Sequence, residues 1–367
     1  WKRAIEIAFD EVDWKIAGHP IKAIEHEMAY KVSLAIEGYE RFKAAGAVYY
    51  PAWGTPIIYA LTERTTKDKI PTTTPGFGRA DAADGRRFPY IFPIAASYWS
   101  QAGAATKFVL DQWKASGNKG MPKIAFLYWD NPAGREPFPI LNKLQKKLGF
   151  KFKSWGIPSP GIEQSAQILD ITRRFKADWV MMHNWSKSPA ISIKELSRNG
   201  FPMNKVLGFV WACAEHDIDG AGAAIIEKYR CISFAGSGLK YPVIKEIQKM
   251  YADEGKPPPR EMMEINNPYN RGLLWMAVPL EAVRLAHAKF GDPVTGEKVK
   301  KGFESIKGFS LGGIVPPMEL TPDDHEGGGW VQLAEVKGGK FIKGIDWFQG
   351  FRAEVLEQVA EAAKAGD

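Results

Sequence analysis

The chain has 367 residues, of which 45% are hydrophobic and 25% are charged, and its formal net charge is +7. These values are typical of a globular protein long enough for two domains, and they exclude a mainly disordered, collagenous or coiled-coil protein. No apolar run is long enough for a membrane-spanning helix. Basic and acidic residues are mixed in the most charged stretches, so we expect a solvated surface and no nucleic-acid partner.

Helices and short apolar runs alternate along most of the chain. Residues 1–12 are predicted to form an amphipathic helix, and we expect that a strand before it has been lost. The pattern continues with helices over 31–45 and 56–66, strands over 21–25, 46–50, 70–74 and 90–94, and a loop over 76–88. Helices over 100–116, 136–148, 162–175, 188–198 and 219–228 then alternate with strands over 123–129, 150–156, 178–183, 206–211 and 231–235. This alternation is typical of βαβ units around a parallel sheet.

The last third of the chain has a different pattern. Helices are predicted over 241–254, 268–290 and 297–306, then strands over 330–336 and 340–344 and a helix over 347–365. The helices after residue 240 have no strands of their own to cover, so in the simplest arrangement they pack on the first lobe. We therefore predict an α/β fold of two lobes, residues 1–96 with 241–320 and residues 97–240 with 321–367. Crossing segments near 95–97, 236–241 and 320–328 would join them.

Tryptophan marks the ends of the predicted strands. The chain has 13 tryptophans, and five of them follow a strand closely: Trp53, Trp99, Trp129, Trp185 and Trp211. In open parallel sheets, ligands bind beyond the carboxyl ends of the strands. An indole ring is costly to leave in water, so five rings at these ends predict a wall for a flat apolar ligand. Packing of each ring on its own sheet is the alternative.

Uncharged polar groups and glycines occupy the same strand ends. Thr55 begins a helix, where its hydroxyl could cap the helix or bind a carboxylate together with nearby N–H groups. Gly76 and Gly78 permit close approach of the backbone to a ligand. Arg135 could pair with an anionic ligand or lie exposed on the surface.

No pattern in the sequence assembles a catalytic centre. A phosphate-binding loop is lacking, and Asp81 stands where a dinucleotide motif beginning at Gly76 and Gly78 needs a third glycine. The six histidines show neither His-x-x-x-His nor paired-cysteine spacing for zinc. Cys213 and Cys231 are either bridged or two buried thiols. We therefore expect a binding protein with no cofactor and no metal, and not an enzyme.

Several short motifs occur in a characteristic order along the chain: Gly54-Thr55 before a helix, Thr74-Pro-Gly76, Tyr90-Ile-Phe-Pro93, Asp130-Asn-Pro-Ala-Gly134 after a strand, and Asn267-Pro-Tyr269 at the start of a long helix. In this order the chain resembles the solute-binding proteins of branched-chain-amino-acid-type ABC transporters, the Leu/Ile/Val-binding class of type I periplasmic binding proteins. The resemblance implies two doubly wound, Rossmann-like parallel-sheet lobes joined by a three-strand hinge. It also implies a periplasmic location and a closed form that docks on the membrane permease of an ABC transporter.

The resemblance also implies a ligand site. Residues matching Thr55 and Gly76–Gly78 would hold the ligand carboxylate from the first lobe, and Ala133, Trp185 and Val210 would face it from the second. From the positions at strand ends and from the resemblance, we predict a set of ligand-binding residues. They are Trp53, Gly54, Thr55, Thr74, Pro75, Gly76, Phe77, Gly78, Tyr98, Trp99, Asp130, Asn131, Ala133, Arg135, His183, Trp185, Val210 and Trp211.

This site departs from the pattern of the amino-acid binders that it resembles. Val210 or Trp211 stands where those proteins place an acidic residue for the ammonium group, and Gly78 stands where they often carry threonine. Burying an ammonium group without a partner is strongly unfavourable. We therefore expect a monomer that closes around a small hydrophobic or aromatic carboxylic acid. The alternatives are a binder of branched-chain or other amino acids or amides, a ligand-sensing regulator of the same fold, and an α/β enzyme.

Overall fold

The computed structural model describes residues 15, 16 and 18–365, so the helix predicted over 1–12 lies outside the described residues. The strands are, in chain order, β1 (Lys15–Ile16), β2 (His19–Pro20), β3 (Thr72–Thr73), β4 (Ile91–Phe92), β5 (Lys123–Trp129), β6 (Lys151–Ile157), β7 (Trp179–His183), β8 (Val206–Gly208), β9 (Arg230–Ser233), β10 (Lys307–Phe309), β11 (Met318–Glu319), β12 (Val331–Lys337) and β13 (Lys340–Phe348).

The α-helices of the described residues are α1 (Val32–Ala44), α2 (Thr55–Asp68), α3 (Tyr98–Ala115), α4 (Pro132–Arg135), α5 (Phe138–Leu148), α6 (Ser165–Leu169), α7 (Ser188–Arg198), α8 (Glu215–Ala221), α9 (Ala223–Ile226), α10 (Pro242–Asp253), α11 (Arg260–Glu264), α12 (Asn266–Phe290), α13 (Gly296–Phe303) and α14 (Arg352–Ala365). Short 3₁₀ helices cover Ala80–Ala83, Met203–Lys205 and Val210–Ala212, and a π-helix covers Asp170–Phe175.

A seven-stranded sheet forms the largest layer of the fold. Its order is β13-β12-β9-β8-β7-β5-β6, in which β5 to β9 are parallel and β12 and β13 run antiparallel at one edge. Both faces are buried, because Ile124 and Phe126 of β5 pack in one hydrophobic core while Ala125 and Leu127 pack in another. The carboxyl ends of β5, β7 and β8 meet at one edge of the sheet. The segments that follow these strands are therefore brought together.

Strand pairing before residue 97 is sparse. β3 pairs in parallel with β4, and Tyr50 forms one further bridge to Thr72. The predicted strands in this part of the chain are therefore longer than the ladder that forms. The strand predicted over 21–25 is wrong, because no described strand pairs with this segment, and a short hairpin forms earlier instead, from β1 and β2.

The helix predicted over 219–228 is also wrong. α8 begins earlier, at Glu215, where the carboxylate of Asp217 accepts a hydrogen bond of 3.0 Å from the Ala214 N–H. Gly222 has a φ of 95° and separates α8 from α9. Glycine adopts this conformation readily because it has no Cβ, so the helix is interrupted where the periodicity alone predicted continuity.

Three further boundaries differ from the prediction. The helix predicted over 162–175 is α6 followed by the π-helix, and the strand predicted over 206–211 ends early because the chain turns into a 3₁₀ helix after β8. β13 is longer than predicted, so the last helix begins at Arg352 rather than at residue 347.

Cys213 and Cys231 form a disulfide with their Cα atoms 5.4 Å apart. The bridge joins the segment between β8 and α8 to strand β9, and both residues are fully buried. The sequence left open whether these two cysteines are bridged, since spacing alone does not show whether their sulfur atoms meet.

Two of the predicted crossing segments lie side by side. The N–H groups of Ala95 and Ser97 donate to the carbonyl and the carboxylate of Glu326, at 2.9 and 2.6 Å. Glu326 is fully buried and pairs with Arg352, which also pairs with Asp324 at 2.7 Å. A buried charge is costly without a partner, so these contacts hold the two segments together.

The helices after residue 240 meet the third crossing segment. The Gly236 N–H donates to the carbonyl of Ile314 at 2.7 Å, and the side chain of Asn270 in α12 donates to the Gly236 carbonyl at 2.8 Å. α14 packs against α3 and α5. None of the helices that the structure describes is long and apolar enough to cross a membrane.

Candidate ligand-binding site

A cavity of about 370 Å³ lies between the start of α2 and the carboxyl edge of the seven-stranded sheet. Seven of its nine lining residues are aromatic. The lining consists of Tyr30, Trp53, Gly54, Thr55, Phe77, Tyr98, Trp129, Trp185 and Trp211. Apart from Tyr30, every one of these residues lies at a predicted strand end.

Aromatic rings from distant parts of the chain meet at this cavity. The ring centroid of Trp53 lies 5.8 Å from that of Trp211, 6.3 Å from that of Phe77 and 4.4 Å from that of Trp275. In a second cluster, the ring centroids of Trp129 and Trp185 lie 4.6 Å apart. Each of these rings contacts another ring, and together they form an apolar wall, although Trp53 is 41% exposed.

The hydroxyl of Tyr98 is a buried polar group of the wall. It accepts a hydrogen bond of 2.7 Å from Nε1 of Trp211, and burial raises the pKa of Tyr98 well above its usual value. The hydroxyl therefore stays protonated, and its own proton can be donated to a ligand. Tyr30 supplies a second hydroxyl: its ring is 42% exposed, yet desolvation raises the pKa of Tyr30 to about 12.

The first turn of α2 forms one rim of the cavity. Gly54 precedes the helix with a φ of 105°, and a Cβ at this position would lie 2.5 Å from the ring of Tyr30, so glycine is required. The side chain of Thr55 does not cap the helix but accepts a hydrogen bond of 3.3 Å from the Gly78 N–H. The positive end of this 14-residue helix therefore faces the cavity and favours an anionic ligand.

None of the residues that the structure describes in the cavity lining is charged. Arg271 lies behind the wall, with its guanidinium 5.3 Å from the ring centroid of Trp211, and it donates hydrogen bonds to the carbonyls of Val210 and Cys213. Burial lowers the pKa of Arg271 to about 10, so it remains a cation at neutral pH. The charge that stacks on Trp211 is thus positive, and the carboxyls of Glu215 and Asp217 near Arg271 offset part of it.

The loop that contains Gly76 and Gly78 packs closely against Phe234, which follows β9, and against Glu136, which lies between α4 and α5. A Cβ at Gly76 would lie 2.0 Å from the ring of Phe234, and one at Gly78 would lie 2.5 Å from the side chain of Glu136. The Gly76 carbonyl accepts a hydrogen bond of 2.9 Å from the side chain of Gln101. Pro75 is buried in the same loop. These glycines therefore permit close contact between two parts of the protein rather than contact with the cavity itself.

Glu136 lies beside this loop and is a buried carboxyl. It is not among the candidate site residues predicted from the sequence. It accepts hydrogen bonds from the Tyr59 hydroxyl at 2.9 Å and from the Ala80 N–H at 2.8 Å. Burial raises the pKa of Glu136 to about 7, against the lowering effect of these donors. Trp99 contacts the same residue, since its Nε1 donates to the Glu136 carbonyl at 2.8 Å, and it lies outside the cavity lining.

Four other nominated residues are buried and do not line the cavity: Thr74, Ala133, His183 and Val210. His183 is fully buried and contacts the carbonyl of Ala133 at 3.0 Å, and burial lowers its pKa to about 3, so the ring is neutral. The Val210 N–H donates to the side chain of Gln101 at 3.3 Å. Thr74 is also buried, and its hydroxyl has no hydrogen-bond partner.

The segment after β5 uses its polar side chains locally. Asp130 and Arg135 form an ion pair with each other at 2.6 Å, and both are at least one-third exposed. Asn131 caps α4, because its side chain accepts a hydrogen bond of 2.9 Å from the Gly134 N–H. None of these side chains lines the cavity.

Two residues that shape the site escaped the sequence analysis. Tyr30 lies in a turn before α1. Trp275 lies within α12, where its Nε1 donates to the Thr73 hydroxyl at 3.0 Å and its ring contacts that of Trp53 at a tilt of 39°. Neither residue follows a strand, so no local signal could have nominated it. Only the packing of α12 near Trp53 and Thr73 brings Trp275 to the site.

The fold is that of a two-lobed α/β protein, and the aromatic cavity is its candidate ligand site. Residues 1–340 match the family of periplasmic binding proteins, and the chain belongs to this family. Within it, the chain is a type I protein of the Leu/Ile/Val-binding class, a solute-binding protein of the ABC-transporter type. Proteins of this family and fold are extracytoplasmic substrate-binding proteins rather than enzymes.

Solved structures of similar proteins cover nearly the whole chain. A protein described as an ABC transporter permease from the Pseudomonas fluorescens group is 32% identical, with a TM-score of 0.87 over 99% of this chain and 91% of that one. A branched-chain amino acid ABC transporter protein from Thermus thermophilus with bound valine is 20% identical, with a TM-score of 0.81 over 98% and 93%. A fatty acid ABC transporter substrate-binding protein from Thermomonospora curvata is 15% identical, with a TM-score of 0.76 over 97% and 88%. No match was found among curated proteins.

Proposed function

We propose that this protein binds a small hydrophobic or aromatic carboxylic acid in the aromatic cavity and delivers it to the membrane permease of an ABC importer. The observation that carries the proposal is the composition of the cavity wall, in which seven aromatic side chains surround the start of α2 and none of the described lining residues is acidic. The ring of the ligand would lie among the indoles, and its carboxylate would lie at the helix end.

The polar groups at the cavity suit a carboxylate better than an amino acid. The protonated hydroxyls of Tyr98 and Tyr30 are donors, and hydrogen bonds to a charged acceptor are stronger than those between neutral groups. The ammonium group of an amino acid would find no carboxylate among the described lining residues, and burying it without a partner is unfavourable.

An aromatic wall can also attract a quaternary amine through cation–π contacts. Two features oppose this ligand class here. Arg271 already stacks on the outer face of Trp211, and the positive end of α2 faces the cavity. Both features place positive potential at the site, so an anionic ligand is favoured over a cationic one.

The size of the cavity limits the ligand. Ligand sites typically measure about 300–1,000 Å³, and about 370 Å³ is near the lower end of this range. One aromatic ring with a short acidic side chain would fill such a volume. A long acyl chain would not fit without further opening of the cleft.

Closure of two lobes is the proposed mechanism of capture. We assign residues 1–96 with 241–320 to one lobe and residues 97–240 with 321–367 to the other; the pairing of β12 with β9 supports the second assignment. Trp53 and Phe77 would come from the first lobe and Trp211 from the second. A ligand between them gains contacts in the closed form that are lost in the open form, so it shifts the population toward closure.

A binding screen tests the proposal. The melting temperature and calorimetric affinity would be measured with benzoate, a phenylpropanoid acid, the primary amides of both, leucine, valine, choline and a long-chain fatty acid. We expect the aromatic acids to bind best and their amides more weakly, with a rise in melting temperature by mass action. Tighter binding of leucine, valine or choline than of every aromatic acid would overturn the proposed ligand class. Conversion of a bound acid to a new product would favour an enzyme instead.

A further inference from the structure

Three potential metal ligands converge far from the aromatic cavity. His19 lies in β2, His287 lies in the last turn of α12, and Asp292 follows that helix. The Nε2 atoms of the two imidazoles are 2.9 Å apart, and an Asp292 carboxylate oxygen lies 3.5 Å from one and 3.8 Å from the other. The site that binds the solute uses none of these residues.

The spacing of the three atoms fits a tetrahedral metal ion. Zinc binds imidazole nitrogen and carboxylate oxygen at about 2.0–2.2 Å, so two ligand atoms in a tetrahedral site are about 3.4 Å apart. The three observed separations lie on both sides of this value. Two imidazoles and one carboxylate leave the fourth position for a water molecule. Imidazole ligands favour zinc-like transition cations over magnesium or calcium, which prefer oxygen ligands.

The surrounding structure presents these ligands and favours a cation. His287 is in the last turn of the 25-residue helix α12, whose carboxyl end carries a partial negative charge. The Gly291 N–H donates to the His287 carbonyl at 2.8 Å and closes this turn. The ammonium group of Lys298 donates to the carbonyls of Gly291 and Pro293, at 2.8 and 2.9 Å, and so fixes the backbone on both sides of Asp292.

We propose that His19, His287 and Asp292 form a binding site for Zn²⁺ or a closely similar transition cation. The ion would join the β1–β2 hairpin to the end of α12, two segments that are 268 residues apart in the chain at the histidines. Its effect would be structural, because a cation that binds only the folded protein stabilises it by mass action. Sequence spacing could not reveal the site, since only the fold brings His19 to His287.

Binding of Zn²⁺ to the untagged protein tests the proposal. Calorimetry and equilibrium dialysis should show one Zn²⁺ per chain at this site, a raised melting temperature, and no comparable effect of Mg²⁺. The double variant His19→Ala/His287→Ala should bind Zn²⁺ at least about tenfold more weakly, because losing even a residue that only orients a metal ligand costs about 10–100-fold. Asp292→Asn, which keeps the shape of the side chain, should also weaken binding. X-ray absorption should report nitrogen ligands at about 2.0–2.1 Å.

A histidine outside the site provides the matched control. His216 is half exposed on α8, and His216→Ala should leave the affinity for Zn²⁺ unchanged. His19 and Asp292 are also substantially exposed, with 45% and 60% of their side-chain surfaces accessible, so we expect their variants to fold, and circular dichroism would check this. Equal Zn²⁺ affinity in the wild type and the double variant, or no binding at micromolar Zn²⁺, would overturn the proposal.

Discussion

The indole nitrogen of Trp211 donates a hydrogen bond of 2.7 Å to the hydroxyl of Tyr98. Trp211 follows β8 and Tyr98 begins α3, so the bond joins two separate elements at the wall of the cavity. Because the bond occupies one lone pair of the hydroxyl and not its proton, Tyr98 keeps a donor for the ligand. Orientation of the indole and availability of the donor are therefore coupled.

Removal of the Trp211 ring should weaken binding of an aromatic acid. Trp211→Ala is expected to reduce the affinity by about 1–3 kcal/mol, since an aromatic anchor of the wall is lost. Calorimetry with the best aromatic acid would measure the change. Trp113→Ala is the control, because Trp113 is partly buried on α3 and does not line the cavity. An equal loss in both variants would point to general destabilisation rather than to a contact with the ligand.

The hydroxyl of Tyr98 should matter more for an acid than for its amide. Tyr98→Phe removes the donor, and a hydrogen bond to a charged group contributes about 1.5–3 kcal/mol. The variant also leaves the Trp211 N–H without its acceptor, which affects both ligands alike. The difference between the acid and its amide, measured by calorimetry in both proteins, isolates the carboxylate. Equal losses for the two ligands would place the carboxylate elsewhere.

Closure of the cleft should depend on glycine at position 76. A Cβ there would lie 2.0 Å from the ring of Phe234, so Gly76→Ala should hold the loop away and lower ligand affinity. Gly120→Ala is a matched control, because its φ of 68° is close to the 71° of Gly76 while no atom lies within 4 Å of its added Cβ. The two variants share backbone strain and differ only in the contact. Small-angle scattering with and without ligand would report closure, and normal closure of Gly76→Ala would contradict this role.

Glu136 should make stability depend on pH. Its pKa is raised from 4.5 to about 7 by burial, so the folded protein binds this proton more tightly than the unfolded chain. The stabilisation is present in full below about pH 4.5 and is lost as the pH rises toward 7, by up to roughly 3 kcal/mol at about 1.4 kcal/mol per pKa unit. Urea unfolding between pH 4.5 and 8 would measure the slope.

The variant Glu136→Gln separates this carboxyl from others that titrate in the same range. Burial also raises the pKa of Asp217 to about 7, so part of the slope belongs to that residue. Glu136→Gln should flatten the pH dependence between 4.5 and 7 and leave the Asp217 contribution. An unchanged slope would mean that Glu136 titrates in the folded protein as it does in the unfolded chain.

The disulfide should contribute substantially to stability. Cys213 and Cys231 are 18 residues apart, and closing a loop of about this length in the unfolded chain is worth about 3 kcal/mol. The double variant Cys213→Ala/Cys231→Ala should lose about this amount in urea unfolding. A thiol assay of the denatured, unreduced wild type should find no free thiol, and two thiols per chain would refute the bridge.

Local patterns in the sequence were sufficient for many elements of the fold. β5 and α7 have the predicted bounds, because a run of six apolar residues after Lys123 and an amphipathic stretch with a proline near its start are local signals. The strand over 21–25 failed because a strand exists only where another strand pairs with it. The bounds predicted for the helix over 219–228 were wrong, because a cap formed by Asp217 and a break at Gly222 outweigh hydrophobic periodicity.

The α/β fold class and an aromatic ligand site could be predicted from the sequence alone. The alternation of strands and helices and the tryptophans beyond strand ends are both local sequence patterns. Which rings share the cavity was decided only by the tertiary structure. Trp99 turns to the carbonyl of Glu136, whereas Tyr30 and Trp275 come to the site from segments without any strand. The physical reason is that the direction of a side chain at the end of a strand depends on the atoms that surround it, and most of these belong to segments distant in the chain.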